Sequence, residues 1–236
     1  MSTSRRFALA SLALVLLAGC SSNDECGVST CSSESLKGRL YVVNAARDLG
    51  DMQVWVDDNI VWDRVQPATG TGTIWLRPGP HNVAIVPRGG GSAADEFTLD
   101  VSADVPRLVV ATSLNGAFDP KVIVDTGAVV PDGATKLRVV HSGANLPALD
   151  VWRTQPDYTT NIRIMTPFAA GAVSPYLQST PGTWTVTVTP RDSTATAPAN
   201  PFATTSVELT SGQRASVIIV AGRTAGTVDL VTVKER

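Results

Sequence analysis

Two histidines are the only imidazoles in the 236 residues. One of them, His141, stands beside the hydroxyl of Ser142 and ahead of the carboxylate of Asp150. Hydroxyl, imidazole and carboxylate are the parts of a nucleophilic triad, in which the base takes the proton and the acid orients the base. The spacing works against it. Adjacent residues of a strand point to opposite faces, which sets Ser142 badly for transfer to His141. The plainer expectation is that His141 hydrogen-bonds Asp150 and pins the turn between their strands. Asp48, Asp51, Asp57, Asp58 and Asp63 could offer oxygen ligands to calcium, but they lack EF-hand spacing and read as solvated turn carboxylates. The chain carries no G-x-S-x-G elbow, P-loop or H-x-x-x-H pair. Gly89-Gly90-Gly91-Ser92 joins two apolar runs instead of opening a helix, so it reads as a hairpin loop. We expect no catalytic group, no metal and no cofactor.

Aromatic residues give the stronger hint. In Met52-Gln53-Val54-Trp55-Val56, period-2 alternation turns Met52, Val54 and Val56 inward and sets Trp55 on the opposite face with Gln53. Leu149-Asp150-Val151-Trp152 repeats the pattern, with Trp152 beside Asp150. A ring sharing a face with a polar residue can stack on a sugar or anchor a partner protein. Trp55, Trp152, His141 and Asp150 are therefore the candidate ligand-facing residues. The competing expectation is that both rings pack in a core or between domains.

The elements that position these residues come in two sets. Leu40-Tyr41-Val42-Val43-Asn44 aligns with Leu137-Arg138-Val139-Val140-His141, and the match runs without a gap to Val54-Trp55 and Val151-Trp152, 97 residues apart. Pro78-Gly79 to Pro87-Arg88 matches Pro181-Gly182 to Pro190-Arg191 at a spacing of 103. Two blocks in the same order indicate a tandem duplication. Short Val, Ile and Thr runs between Gly, Pro, Asn and Asp signals predict strands near 39–43, 52–56, 60–62, 73–76, 82–86, 96–101, 107–112 and 121–125. The second set falls near 136–140, 149–153, 162–165, 173–177, 184–189, 206–209, 215–221 and 228–234. Val56-Asp57-Asp58-Asn59-Ile60 reads as a hairpin. The fold expected is all-β, two tandem Ig-like antiparallel β-sandwiches over 37–127 and 136–236, joined by a linker at 128–135.

Composition agrees: 43% of residues are hydrophobic, 17% charged, and the net charge is −2 with no basic stripe. Such a chain can build cores and offers nucleic acid no electrostatic footprint. Residues 1–19 have the form of a secretory signal, with Arg5 and Arg6 ahead of an uncharged stretch too short to span a bilayer. Leu17-Ala18-Gly19-Cys20 resembles the lipobox of bacterial lipoproteins. That resemblance implies lipidation of Cys20 and anchoring in the bacterial cell envelope, with Ser21 favouring the outer membrane, while the Ser-rich, acidic composition behind Cys20 makes 20–36 read as a tether. Cys26 and Cys31, close together in an oxidising compartment, are expected to form a local disulfide; the neighbourhood has no further ligands for zinc.

Lys136-Leu137-Arg138-Val139-Val140-His141-Ser142-Gly143-Ala144-Asn145-Leu146-Pro147-Ala148-Leu149-Asp150-Val151-Trp152 resembles the opening of domain of unknown function 4397. The family's hairpin and its later Pro-Gly with alternating Val and Thr are matched by 56–61 and 181–188. The first copy departs from the pattern at Asn44, Gly50 and Gln53. The resemblance implies a secreted or envelope β-domain, often in tandem, with no assigned activity. Together these features point to a non-catalytic lipid-anchored envelope protein, a binding or structural module whose partners are an envelope protein or a polysaccharide. Alternatives are a glycan-binding or calcium-dependent adhesin and, further off, an envelope hydrolase built on His141 and Asp150.

Overall fold

The computed structural model describes residues 37–90, 95–103, 105–114, 117–125, 129–143, 145–154, 161–192 and 194–235. Cys20, Cys26, Cys31, the signal stretch and the tether lie outside the described residues. The chain is all-β. Among the described residues the one helical turn is a 3-10 turn at Arg47–Leu49.

The first sandwich is built from β1 (Gly38–Asn44), β2 (Met52–Val56), β3 (Asn59–Val65), β4 (Thr69–Gly70), β5 (Ile74–Leu76), β6 (Gly79–Pro87), β7 (Asp95–Val101), β8 (Arg107–Ala111), β9 (Ser113–Leu114), β10 (Ala117–Phe118) and β11 (Lys121–Val124). The second is built from β12 (Thr135–His141), β13 (Leu149–Thr154), β14 (Asn161–Phe168), β15 (Leu177–Ser179), β16 (Gly182–Pro190), β17 (Ala203–Leu209), β18 (Arg214–Ala221) and β19 (Val228–Glu235). In the first, a sheet ordered β11-β8-β1-β4, with β5 also on β1, packs on β3-β2-β6-β7. In the second, β15-β12-β18-β19 packs on β14-β13-β16-β17. The path β11-β8-β1-β5 corresponds to β19-β18-β12-β15 and β3-β2-β6-β7 to β14-β13-β16-β17, while β4 and the small β9-β10 sheet have no strand counterparts among the described residues of the second sandwich.

Two features differ from the sequence expectation. In each sandwich the first strand runs parallel to the last but one strand of its own sheet, β1 with β8 and β12 with β18, while the other pairs are antiparallel. The long excursion between those strands, which builds the whole opposite sheet, allows it. An immunoglobulin constant domain pairs its first two strands' sheetmates differently, with A and B in one sheet; here β1 and β2 lie in opposite sheets. The likeness is therefore one of architecture, two packed sheets, with its own strand order. The strand expected over 173–177 is displaced to Leu177–Ser179. Pro175 has no N–H for a ladder, and Val173 keeps a single bridge, to Val140.

Local chemistry explains the rest. Asp57 and Asp58 both have positive φ, 49° and 63°, the geometry of a two-residue type I′ hairpin turn. Gly79 and Gly182 sit at φ of 129° and 148°, which accounts for the Pro-Gly in both halves. The growth of the repeat spacing from 97 to 103 falls between β13 and β14, at 155–160, outside the described residues.

Each sandwich has its own core. Met52, Val54 and Val56 meet Leu40, Val42 and Val109 in the first. Leu149 and Val151 meet Leu137, Val139 and Val217 in the second. A third core joins them. Tyr41, Val43, Leu108 and Val110 pack against Val140, Ile218, Val220, Val231 and Val233. This is why β8 is buried along its whole length and β18 on both faces. Strands covered on both sides read as continuous apolar runs. Charged groups frame the seam. Asp125 pairs with Arg214 at 2.7 Å, Arg47 pairs with Asp229, and Lys121 Nζ donates to the Gly171 carbonyl at 3.0 Å.

Candidate functional site

His141, Ser142 and Asp150 do not assemble. His141 is fully buried at the end of β12, and its Nε2 lies 3.3 Å from the carbonyl of Pro147. Its Nδ1 is buried with no hydrogen-bond partner among the described residues, and its ring leans on Phe168, centroids 5.8 Å apart. Burial holds the imidazole below its ordinary pKa, the Pro147 carbonyl opposes this, and the charge of Lys121 adds to it. Ser142 Oγ donates to the Ile219 carbonyl at 2.7 Å. Asp150 turns away altogether. Its Oδ2 accepts from Arg163 at 3.2 Å and from the Asp192 amide at 3.0 Å. The expected His141–Asp150 hydrogen bond is therefore corrected, because Arg163 takes the carboxylate.

The first sandwich shows what His141 does instead. Asn44 occupies the same place in β1, and its Nδ2 donates to the carbonyls of Gly50 at 2.8 Å and Val65 at 3.1 Å. Gly50 and Pro147 are themselves equivalent at the repeat spacing of 97. Amide and imidazole each reach into the turn after the first strand, a structural staple made with different side chains.

The two tryptophans have different fates. Both occupy the outer face, as alternation predicts. Trp152, however, is only 2% exposed. Its Nε1 donates to Thr189 Oγ1 at 3.1 Å, and the Arg163 guanidinium lies 5.1 Å from its ring. Asp150, Thr185, Thr187 and Thr189 on the same face are buried with it. Trp152, His141 and Asp150 are thus not ligand-facing. The reason is tertiary: Arg163 from β14 and Asp192 from the connection after β16 close over this face.

Trp55 is half-buried and stays open to solvent. It pairs with Ile60 on one side and Ala84 on the other, and Ala84 pairs with Glu96 of β7. Register places Ile60, 47% exposed, where the second sandwich has Arg163. The result is a groove of about 240 Å³ lined by Trp55 with Gln53, Asn82, Ala84, Glu96 and Asp58. Gln53 Nε2 donates to Asp63 at 2.7 Å, and Asn82 Nδ2 donates to Glu96. The Trp55 indole N–H is buried without an acceptor among the described residues. Asn82, Ala84 and Glu96 were not singled out from sequence. The same period-2 reading, applied to β6 and β7, would have found them.

The remaining acidic residues are engaged separately. Asp51 pairs with Arg64 at 2.7 Å, and Asp48 accepts from Ser113. Asp57 binds His81 Nδ1 at 2.6 Å and the Asn82 amide at 2.9 Å. Burial opposes ionisation of Asp57, but the His81 and Asn82 hydrogen bonds outweigh it and hold its carboxyl below the ordinary value. The hydrogen bond from Gln53 is the main cause holding Asp63 low. Among the described residues no group of three or more His, Cys, Asp or Glu could hold a metal ion. Among them also, no helix is long and apolar enough to cross a membrane.

No curated protein matches the chain. Among solved structures, the Bacillus anthracis TIE protein is matched at a TM-score of 0.26 and 10% identity, over 78% of this chain and 34% of that one. The chain thus spans about a third of that protein's length. Residues 38–152 match the family described as Domain of unknown function (DUF4397), a stretch running from β1 through the first sandwich into β13. That matched stretch includes every residue named above as lining the groove around Trp55.

Proposed function

We propose that this protein is a non-catalytic, lipid-anchored binding module of the bacterial cell envelope. On this reading residues 1–19 are a signal peptide, Cys20 carries the lipid, Cys26 and Cys31 form a disulfide in the tether, and the anchor sits in the outer membrane. The second sandwich is a second copy of the same domain, kept as a support. Its strand order and register match the first, and its outer face is closed. The observation that carries the reading is the contrast between that closed face and the open groove beside Trp55. The third core supports it too, since it makes the pair a stiff body able to hold the groove in fixed orientation. The partner is an envelope protein or polysaccharide, and no nucleic acid is expected.

The test is co-sedimentation of the chain from Lys37 onward with peptidoglycan, outer-membrane vesicles and extracted polysaccharide. Retention on one fraction, lost in Trp55→Ala and kept in Trp184→Phe, a change at a buried indole of β16 in the second sandwich, is the expected result. Absence of retention on every fraction removes the binding reading. Radiolabelled palmitate incorporation that disappears in Cys20→Ala checks the anchor.

A further inference from the structure

We propose that the Trp55 groove is a sugar site, taking an uncharged or amino-bearing hexose chain and excluding acidic polysaccharides. This rests on the envelope-binding reading and names its ligand. The argument begins with the hydrogen bonds already spent. Asn82 gives its Nδ2 to Glu96, and Gln53 gives its Nε2 to Asp63. Each amide keeps one further N–H, but the larger share of what these residues still offer the groove is acceptors: the amide oxygens of Gln53 and Asn82 and the carboxylates of Glu96 and Asp58. A site rich in acceptors calls for a ligand rich in donors. Sugar hydroxyls and ammonium groups meet that need, whereas carboxylated or sulfated chains bring acceptors and negative charge against two carboxylates.

Shape points the same way. Ala84 is the small residue between the Trp55 ring and Glu96, so the row Ile60, Trp55, Ala84, Glu96 dips in the middle. One wall is the Trp55 indole and the other a carboxylate. A hexose ring has this division, with apolar C–H groups on its face and hydroxyls at its edge. The volume, about 240 Å³, is below the ~300–1,000 Å³ of drug-sized pockets and suits a single ring, with the rest of the chain running out over Ile60. The corresponding row of the second sandwich has Arg163 for Ile60 and Thr187 for Ala84, and it binds its own Asp150 instead.

Isothermal titration of the full chain in detergent tests this, with tetramers of N-acetylglucosamine, maltotetraose and oligoalginate as probes. A neutral tetramer should bind and oligoalginate should not. The tetramer that binds distinguishes a cell-wall glycan from a glucan. Trp55→Ala should weaken binding by roughly tenfold or more. Ile60→Arg, which installs the residue of the second sandwich, should do so while leaving the melting temperature unchanged. Equal affinity in Ile60→Arg and wild type overturns the proposal, as does binding of oligoalginate. If neither neutral tetramer binds but the chain is still retained on an envelope fraction, the sugar assignment falls and the binding module stands. If there is no retention either, both fall.

Discussion

Trp55 and Trp152 stand at the same node of equivalent sheets, each outward from a core built on the same alternation. Around Trp152, Arg163 crosses from β14 to hold Asp150 and lie over the ring, and Thr189 Oγ1 accepts from the indole N–H. Around Trp55, an exposed Ile60 and a small Ala84 leave the ring beside an open groove. The connections differ as well. Residues 88–94 join β6 to β7, whereas the longer 191–202 joins β16 to β17 and contributes Asp192 to the cover. Strand periodicity decides which face a side chain takes. What crosses that face from neighbouring strands decides whether it meets solvent. In this molecule, one face serves the fold and its counterpart is left available.

The sharpest break of that comparison is alanine at each tryptophan. Trp152→Ala empties a closed site and should cost about 4 kcal/mol, within the range for buried aromatics. Trp55→Ala removes a half-exposed ring whose N–H lacks an acceptor among the described residues, and should cost about 1 kcal/mol or less. Urea melts of the two variants measure the difference. Equal losses would mean that the closed and open faces contribute alike.

A smaller effect separates the polar neighbours. Asp150→Ala leaves the Arg163 guanidinium without its buried partner and should cost about 2 kcal/mol, reduced from the fully buried case because Arg163 is partly exposed. Gln53→Ala on the open face should stay within about 0.5 kcal/mol. If Arg163→Ala in the Asp150→Ala background costs nothing further, the two act as a unit. Additive losses would instead assign Arg163 its stabilisation through the Trp152 ring.

The sandwiches themselves were legible because their signals are local. The I′ turn at Asp57-Asp58 and the Pro-Gly pairs dictate backbone geometry, and the alternation in Met52–Val56 dictates facing. The seam between the sandwiches was less so. Leu108-Val109-Val110 and Val217-Ile218-Ile219-Val220 are continuous apolar runs, the mark of strands buried on both faces, and reading them that way would have found the third core. The cover over Trp152 had no comparable signal. Arg163 and Asp150 meet only through the register of β13 with β14, which a bulge shifts. Nor could sequence show that His141 serves its turn through Pro147, since a histidine near an aspartate looks the same whether or not the two meet.

His141 gives the most delicate distinction between the two halves. Asn44 staples the first sandwich with an uncharged amide, while the second uses a titratable ring held neutral by burial. Because the folded state depresses the His141 pKa, the unfolded chain binds a proton first as pH falls. Its stabilising share is complete above the ordinary histidine value of 6.5 and is lost as pH drops below it. The loss is bounded at about 1.4 kcal/mol per pH unit. Thermal melts between pH 7.5 and 5.5 should therefore show wild type losing stability more steeply than His141→Asn, the variant that gives the second sandwich the staple of the first. Parallel curves would mean that the ring takes up its proton alike in the folded and unfolded chain, and that burial does not hold it neutral.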